Sequence, residues 1–459
     1  MKTFKSLYLL GALMVLTTCT KDPEPDPVVD TNKLPTKVWD KTLGGAGSDI
    51  PTDIIATSDG GFIVLGNSTS DLSGDKTEAS RGYTDYWITK INSTGQKVWD
   101  KTFGGSGNEY ATDIIATTDG NFMVVGRSDS GISGDKTEAS RGSQDYWIVK
   151  MSSTGQKIWD KTYGGDQIES AASIVATTDG GFIIVGSSTS NITGDKTERN
   201  YGDRDYWLLK INNAGQKIWD KTLGGRDSDD PCTILATLDG NFMVVGSSRS
   251  SISYDKSELN IGGPATTDYW VVKINSLGQK IWDKTLGGNQ WDLTHSMIAT
   301  ADGGFLIIGD SSSGISGDKS ETSDKYESDY WLIKINSTGQ RLWDKTLGGD
   351  RADVPYKVVA TSDGGFIISG SSLSGIARDK TEANISGTTT DYWVVKVNNT
   401  GQKVWDKTLG GDNSDSSPHL VATPKGFILA GASKSGISGN KLEASKGDFD
   451  YWMMNLEFK

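Results

Sequence analysis

The chain has 459 residues, with 46 Lys and Arg against 59 Asp and Glu, a formal charge of -13 and two cysteines. That acidic balance repels phosphate backbones and anionic headgroups, which argues against nucleic acid as a partner. Cys19 and Cys232 make no disulfide framework within a domain, so packing must supply the stability.

The N-terminus carries Lys2 and Lys5, then an apolar run from Leu7 to Leu16. The run is too short to span a bilayer, and residues 1–18 read as a signal peptide. The run ends in Leu16-Thr-Thr-Cys19, which resembles the lipobox of bacterial lipoproteins, although Thr18 departs from the usual Gly, Ala or Ser. The resemblance implies acylation at Cys19; the plain alternative is an ordinary secretory signal with a chance cysteine. Residues 19–36 include Thr20-Lys-Asp-Pro-Glu-Pro-Asp-Pro27, whose alternating proline and acid favour an extended, solvated tether. A Lys-Asp pair just after the cysteine is similar to the charged signals that send lipoproteins of the Bacteroidota to the outer cell surface. An outer-membrane lipoprotein exposed on the cell is therefore expected, touching the membrane through its lipid only.

From residue 37 onward the sequence repeats. The Trp of Trp-Asp-Lys-Thr stands at 39, 99, 159, 219, 282, 343 and 405, and the Trp of Asp-Tyr-Trp at 87, 147, 207, 270, 331, 393 and 452. In the first unit, Thr52–Thr57 and Phe62–Gly66 flank an Asp-Gly hairpin signal. A longer polar loop leads to Tyr86–Asn92, a tight turn and Lys97–Phe103. Four short strands per unit, without helical spacing, predict an all-β propeller blade. The ends are complementary: the chain opens with a lone fourth strand, and the last unit stops after its third, Tyr451–Leu456. If the first strand completes the last blade, residues 37–459 close as a seven-bladed β-propeller with every blade four-stranded. The words Gly-Gly, Asp-Gly-Gly-Phe, Asp-Tyr-Trp and Trp-x-Lys-Thr resemble bacterial propeller-repeat lipoproteins, a likeness that implies the ring but no activity. WD40 and Kelch-type propellers are similar in architecture only.

Comparison among the units separates scaffold from surface. The short turns are nearly constant, while the loops joining strand four to one and strand two to three vary, so their face is the functional candidate. The long loop repeats a Lys followed two residues on by Glu, as at Lys76, Lys136, Lys196, Lys256, Lys319, Lys380 and Lys441. Its oxygens could ligate calcium, but a lysine in every copy opposes a cation and favours an ion-paired clasp. No cofactor is otherwise implied.

Each short loop carries an acid four residues after its Gly-Gly pair: Asp49, Glu109, Glu169, Asp229, Asp292, Asp353 and Asp415. They read either as a ring of carboxylates at the channel mouth or as caps that accept backbone N–H groups and tie the blades. Fourteen of the fifteen tryptophans belong to the two repeated words, leaving Trp291 in the fifth short loop. His295 and His419 are assigned one repeat position lining the upper channel, alongside Thr52, Thr112, Ala172, Cys232 and Tyr356. Two histidines are too few for a zinc site.

No nucleophile motif, phosphate-binding loop or metal signature occurs. The expectation is a non-catalytic binding or assembly module whose variable face takes a glycan or an envelope protein. Trp291 would be the stacking platform, with Asp292, His295, Tyr356 and His419 around it. The alternative is a propeller-type glycosidase or lyase that uses carboxylates from different blades.

Overall fold

The computed structural model describes residues 30–323 and 327–459; the signal and lipidation expectations at residues 1–18 and Cys19 lie outside them. Within them the strands form seven antiparallel sheets of four, arranged as the blades of a propeller. Blade one runs outward from the axis as Asp49–Ala56, Phe62–Ser68, Asp85–Ile91 and Lys97–Phe103. Blades two to six repeat it, opening at Glu109, Glu169, Asp229, Asp292 and Asp353. Blade seven contains Asp415–Thr423, Gly426–Ser433 and Asp450–Glu457, and its outermost strand is the N-terminal Thr36–Leu43. The innermost strands stand side by side around the axis, with Asp49–Ala56 against Asp415–Thr423 closing the ring.

Burial follows a strand's depth within its blade. Asp85–Ile91 lies between two strands and two neighbouring sheets, and every residue of it is buried, the polar Asp85, Thr89 and Lys90 included. Lys97–Phe103 is an outer edge and alternates exposed with covered positions over its first half. The core therefore lies between blades. Ile63, Leu65, Tyr86 and Ile88 of blade one pack on Ile114, Val124, Trp147 and Val149 of blade two. The closing junction repeats this, with Ile428, Tyr451 and Met453 against Ile54, Val64 and Trp87.

The two repeated words account for these junctions. The Tyr86 ring lies 4.8 Å from that of Trp147 in the next blade, and its hydroxyl donates to the Trp147 carbonyl at 3.2 Å. Within its own blade, Trp87 donates its indole N–H to Asp100 of Trp-Asp-Lys-Thr at 3.1 Å. Each word thus satisfies the buried polar group of the other.

The tight turns gather at one edge of the ring, where Gly60 and Gly95 adopt φ of 78° and 79°. Thr36 enters the ring at this turn edge, opposite Glu457 and close to the hairpin turn before Gly426. Just upstream, the Thr31 carbonyl accepts the indole N–H of Trp405 at 3.0 Å, pinning the incoming chain against blade six. The loops between strands two and three and between successive blades emerge on the opposite face.

Candidate functional site

The seven short-loop acids do not ring an open mouth. Asp49, Glu109, Glu169, Asp229, Asp292, Asp353 and Asp415 are all fully buried. Each accepts the N–H of the glycine four residues earlier, at 2.7–2.8 Å. Serines of the same blade add further donors, as Ser70 does to Asp49 at 2.8 Å. These carboxylates hold the chain where it passes from one blade to the next. Asp292 is among them, so it is withdrawn from any ligand that Trp291 could stack.

The repeated lysines are equally internal. Lys76 is buried and donates to the Ser68 hydroxyl at 3.0 Å and the Ser70 carbonyl at 2.7 Å. Burial pulls the Lys136 amine down to about 8, against the upward pull of Asp145 and Glu109. Glu78 accepts Lys101 Nζ at 2.5 Å and the Thr102 N–H at 3.0 Å, clasping the long loop to the outer strand. The oxygens considered for calcium are thus directed at donors of the protein itself. Among the described residues no three His, Cys, Asp or Glu converge as a metal site.

The histidines do not share a repeat position. Every inner strand carries a bulge: in blade one Pro51 faces Gly66 and Asp53 faces Leu65, leaving Thr52 between them. His295 occupies the bulged position with Thr52, Thr112, Ala172, Cys232 and Tyr356. In blade seven the bulged residue is Pro418, preceded by Ser417 at φ 54°, and His419 pairs with Ala430 in the register of Asp53. His419 therefore belongs one step further along the strand.

That step holds a set of residues which the repeated words conceal. The fourth residue after each buried acid is in turn Asp53, Asp113, Ser173, Thr233, Ser296, Lys357 and His419, all lining a central cavity of about 420 Å³. Lys357 reaches past blade seven to Asp53 at 3.0 Å. Asp113 accepts the Ser173 hydroxyl and the Ile174 N–H, both at 2.9 Å. Burial, reinforced by Asp53, pushes the Asp113 carboxyl up to about 7, while Lys357 pulls it back. Burial holds the His419 imidazole down at about 4, Asp53 opposing and Lys357 adding to the effect. Tyr356 stands between the histidines, its ring 5.9 Å from His295 and 6.2 Å from His419. His295 Nε2 is 2.6 Å from Asp310 Oδ1.

Trp291 lies elsewhere. Its side chain is 47% exposed, and it borders a groove of about 500 Å³ on the loop face, lined also by Arg204, Asp230, Arg249, Thr267 and His295. The Arg249 guanidinium lies 5.7 Å from the indole centre, and Arg204 pairs with Asp230 at 3.0 Å. Of the residues grouped from the sequence, His295 borders both groove and channel, whereas Tyr356 and His419 face only the channel. Cys232 also borders both, with a thiol that burial pushes up and that contacts Thr294 Oγ1 at 3.5 Å, an unreactive setting.

No protein-family model matches the chain. It is 22% identical over 447 residues to the regulatory protein FlaEY of Caulobacter vibrioides, covering 90% of this chain and 45% of that protein, so it spans less than half of that relative's length. Similar solved structures include the Pan2 WD40 domain of Neurospora crassa, at 9% identity over 94% of this chain and 100% of that one, with a TM-score of 0.48. A protein of unknown function from Dyadobacter fermentans is 10% identical over 93% and 99%, with a TM-score of 0.45. Another, from Bacteroides caccae, is 13% identical over 70% and 90%, with a TM-score of 0.39. None of these identities carries a ligand or an activity over to this chain.

Proposed function

We propose that this protein is a non-catalytic binding module, held at the outer surface of a cell envelope by a lipid on Cys19, and that its loop face binds a glycan. The observation that carries the reading is the half-exposed Trp291 bordering its groove. The other fourteen tryptophans are spent on repeat packing, and an indole offers a flat apolar surface to the C–H face of a sugar. The entry of the chain at the turn edge supports display: a tether leaving there lets the loop face point away from the surface that holds it.

The test is retention of the purified propeller on immobilised envelope polysaccharides. Wild-type protein is expected to be retained and Trp291→Ala to pass through, with both melting at the same temperature. Retention on an envelope protein instead of any polysaccharide would replace the glycan with a protein ligand.

A second reading, a carbohydrate-active enzyme, is favoured by one observation: Asp53 and Asp113 line the same central cavity, the first paired with Lys357 and the second capped by Ser173 and the Ile174 N–H in a setting whose burial pushes its carboxyl up. Two carboxyls in such different environments suit general acid and base roles. Release of new reducing ends from a retained polysaccharide, lost in Asp113→Asn, would establish it.

A further inference from the structure

The seven-fold repeat supplies internal controls for the groove. At the position of Arg249 the other blades carry Thr69, Asp129, Thr189, Ser312, Leu373 and Lys434. In blades one to three this side chain is a cap: Thr69 accepts the Ser48 N–H at 2.8 Å, Asp129 that of Asn108 at 2.6 Å, and Thr189 that of Ile168 at 3.0 Å. A guanidinium has no acceptor, so Arg249 cannot serve the loop in this way. It instead extends over the indole of Trp291. Among the described residues no carboxylate lies within ion-pair distance of it.

Two further exceptions point into the same groove. Trp291 itself replaces Ser48, Asn108, Ile168, Ser228, Ala352 and Ser414 of the other units. Arg204 stands where they have Thr84, Gln144, Thr267, Ser328, Thr390 and Phe449, and it holds Asp230 at the groove wall. Three loops from successive blades thus depart from most of their counterparts at one place and supply an aromatic plane, a guanidinium without a carboxylate partner among the described residues, and an acceptor already fixed in position. In blade seven the cation at the Arg249 position, Lys434, is instead paired with Asp448.

A neutral sugar would use the indole and Asp230 but leave the planar fork of Arg249 without an acceptor. A carboxylate matches that fork in two parallel charge-assisted hydrogen bonds. We propose that the groove binds an acidic sugar residue, a hexuronate or similar carboxylate-bearing unit of a polysaccharide, with its ring on Trp291 and its carboxylate on Arg249. Asp230, Ser228 and Thr267 are placed to meet its hydroxyls. The assignment rests on the glycan reading above and narrows its ligand class. It also explains how an acidic protein accommodates an anionic ligand, through a local fork of charge instead of a basic surface.

The experiment is calorimetric titration of the full chain with oligosaccharides of galacturonate, glucuronate and mannuronate and with sialyllactose, each beside its carboxyl-reduced neutral counterpart. At least one acidic probe is expected to bind, its reduced counterpart to bind about tenfold or more weakly, and Arg249→Gln to lose that difference. Trp291→Ala is expected to abolish binding of both forms, and matching thermal melts of the two variants establish that the fold is intact. Equal binding of acidic and neutral forms, dependent on Trp291 and indifferent to Arg249→Gln, would overturn the acidic-sugar assignment and leave the glycan reading standing. Binding of no probe, acidic or neutral, would overturn both.

Discussion

The indole N–H of Trp452 donates to Asp40 at 3.2 Å, joining residues 412 positions apart in the chain. It is the same bond that Trp87 makes to Asp100 within an unbroken stretch, but here it crosses the only seam of the ring. Asp40 also accepts the Leu442 N–H at 2.9 Å, so its buried carboxylate satisfies two donors of the C-terminal blade. Asp40→Ala should cost about 2–4 kcal/mol, since it orphans both. Asp100→Ala removes the equivalent bonds without touching the seam and should cost a similar amount. The two variants should differ under limited proteolysis: only Asp40→Ala should become cleavable between residues 36 and 44, and uncut protein there would contradict a seam held by this contact.

Asp113 makes stability depend on pH. Its carboxyl is raised in the folded chain, so ionising it costs more there than in the unfolded chain. The penalty is absent below the unfolded value near 4, grows as pH rises and is complete above about 7. Asp113→Asn should therefore melt with the wild type at pH 4 and be more stable than it at pH 8, by roughly 2 kcal/mol after allowing for channel water. Melting curves across that range check the sign; a variant less stable at pH 8 would show that the ionised form is the favoured one.

Gly60 and Gly95 have nearly equal φ but different surroundings. A Cβ at Gly60 would meet nothing within 4 Å, whereas one at Gly95 would lie 2.8 Å from the Trp39 ring of the neighbouring blade. Gly60→Ala should cost the backbone strain alone, about 1 kcal/mol. Gly95→Ala should cost roughly twice as much or more, because Trp39 must move. Chemical denaturation of the pair measures the difference, and equal midpoints would mean that Trp39 yields freely.

The anchoring proposal has its own test. Cys19→Ala should shift the protein from the membrane to the soluble fraction and abolish labelling by palmitate. On intact cells, protease should reach the wild-type propeller. An Ala variant that stays labelled, or a wild type that is never cut on whole cells, would reject anchoring at Cys19 or display respectively.

The blades and their closure were legible because they rest on local words repeated at near-constant spacing, and because the lone strand at Lys37–Leu43 matched the strand missing after Leu456. Trp291 stood out by the same logic of exception. Arg249 and Arg204 follow it once positions are compared across units, but as isolated charges in polar loops they carried no signal. The capping reading of the seven acids holds, as each accepts its glycine N–H, but their complete burial was hidden, since a carboxylate that caps an N–H and one that faces water are spelled alike. The histidines are separated by one step that the sequence already spells, since His295 is the third residue after its buried acid and His419 the fourth; the inner strands share their bulge, so the register follows that count. The Asp53, Lys357 and Asp113 cluster depends on blade six lying within reach of blade one, a proximity that exists only when the ring is closed.

The entry of Thr36 at the turn edge also fixes how the molecule bears force. Pulled from its N-terminal end and held back at the opposite face, the N-terminal strand is loaded along its own length. Sliding it past its partner strains the whole register from Lys37 with Leu456 to Leu43 with Tyr451 at once, where a sideways pull would peel those pairs one by one. The seam that looks weakest on a topology diagram is thus oriented to resist in shear, the direction in which flow would load it if the protein is held at Cys19 as proposed.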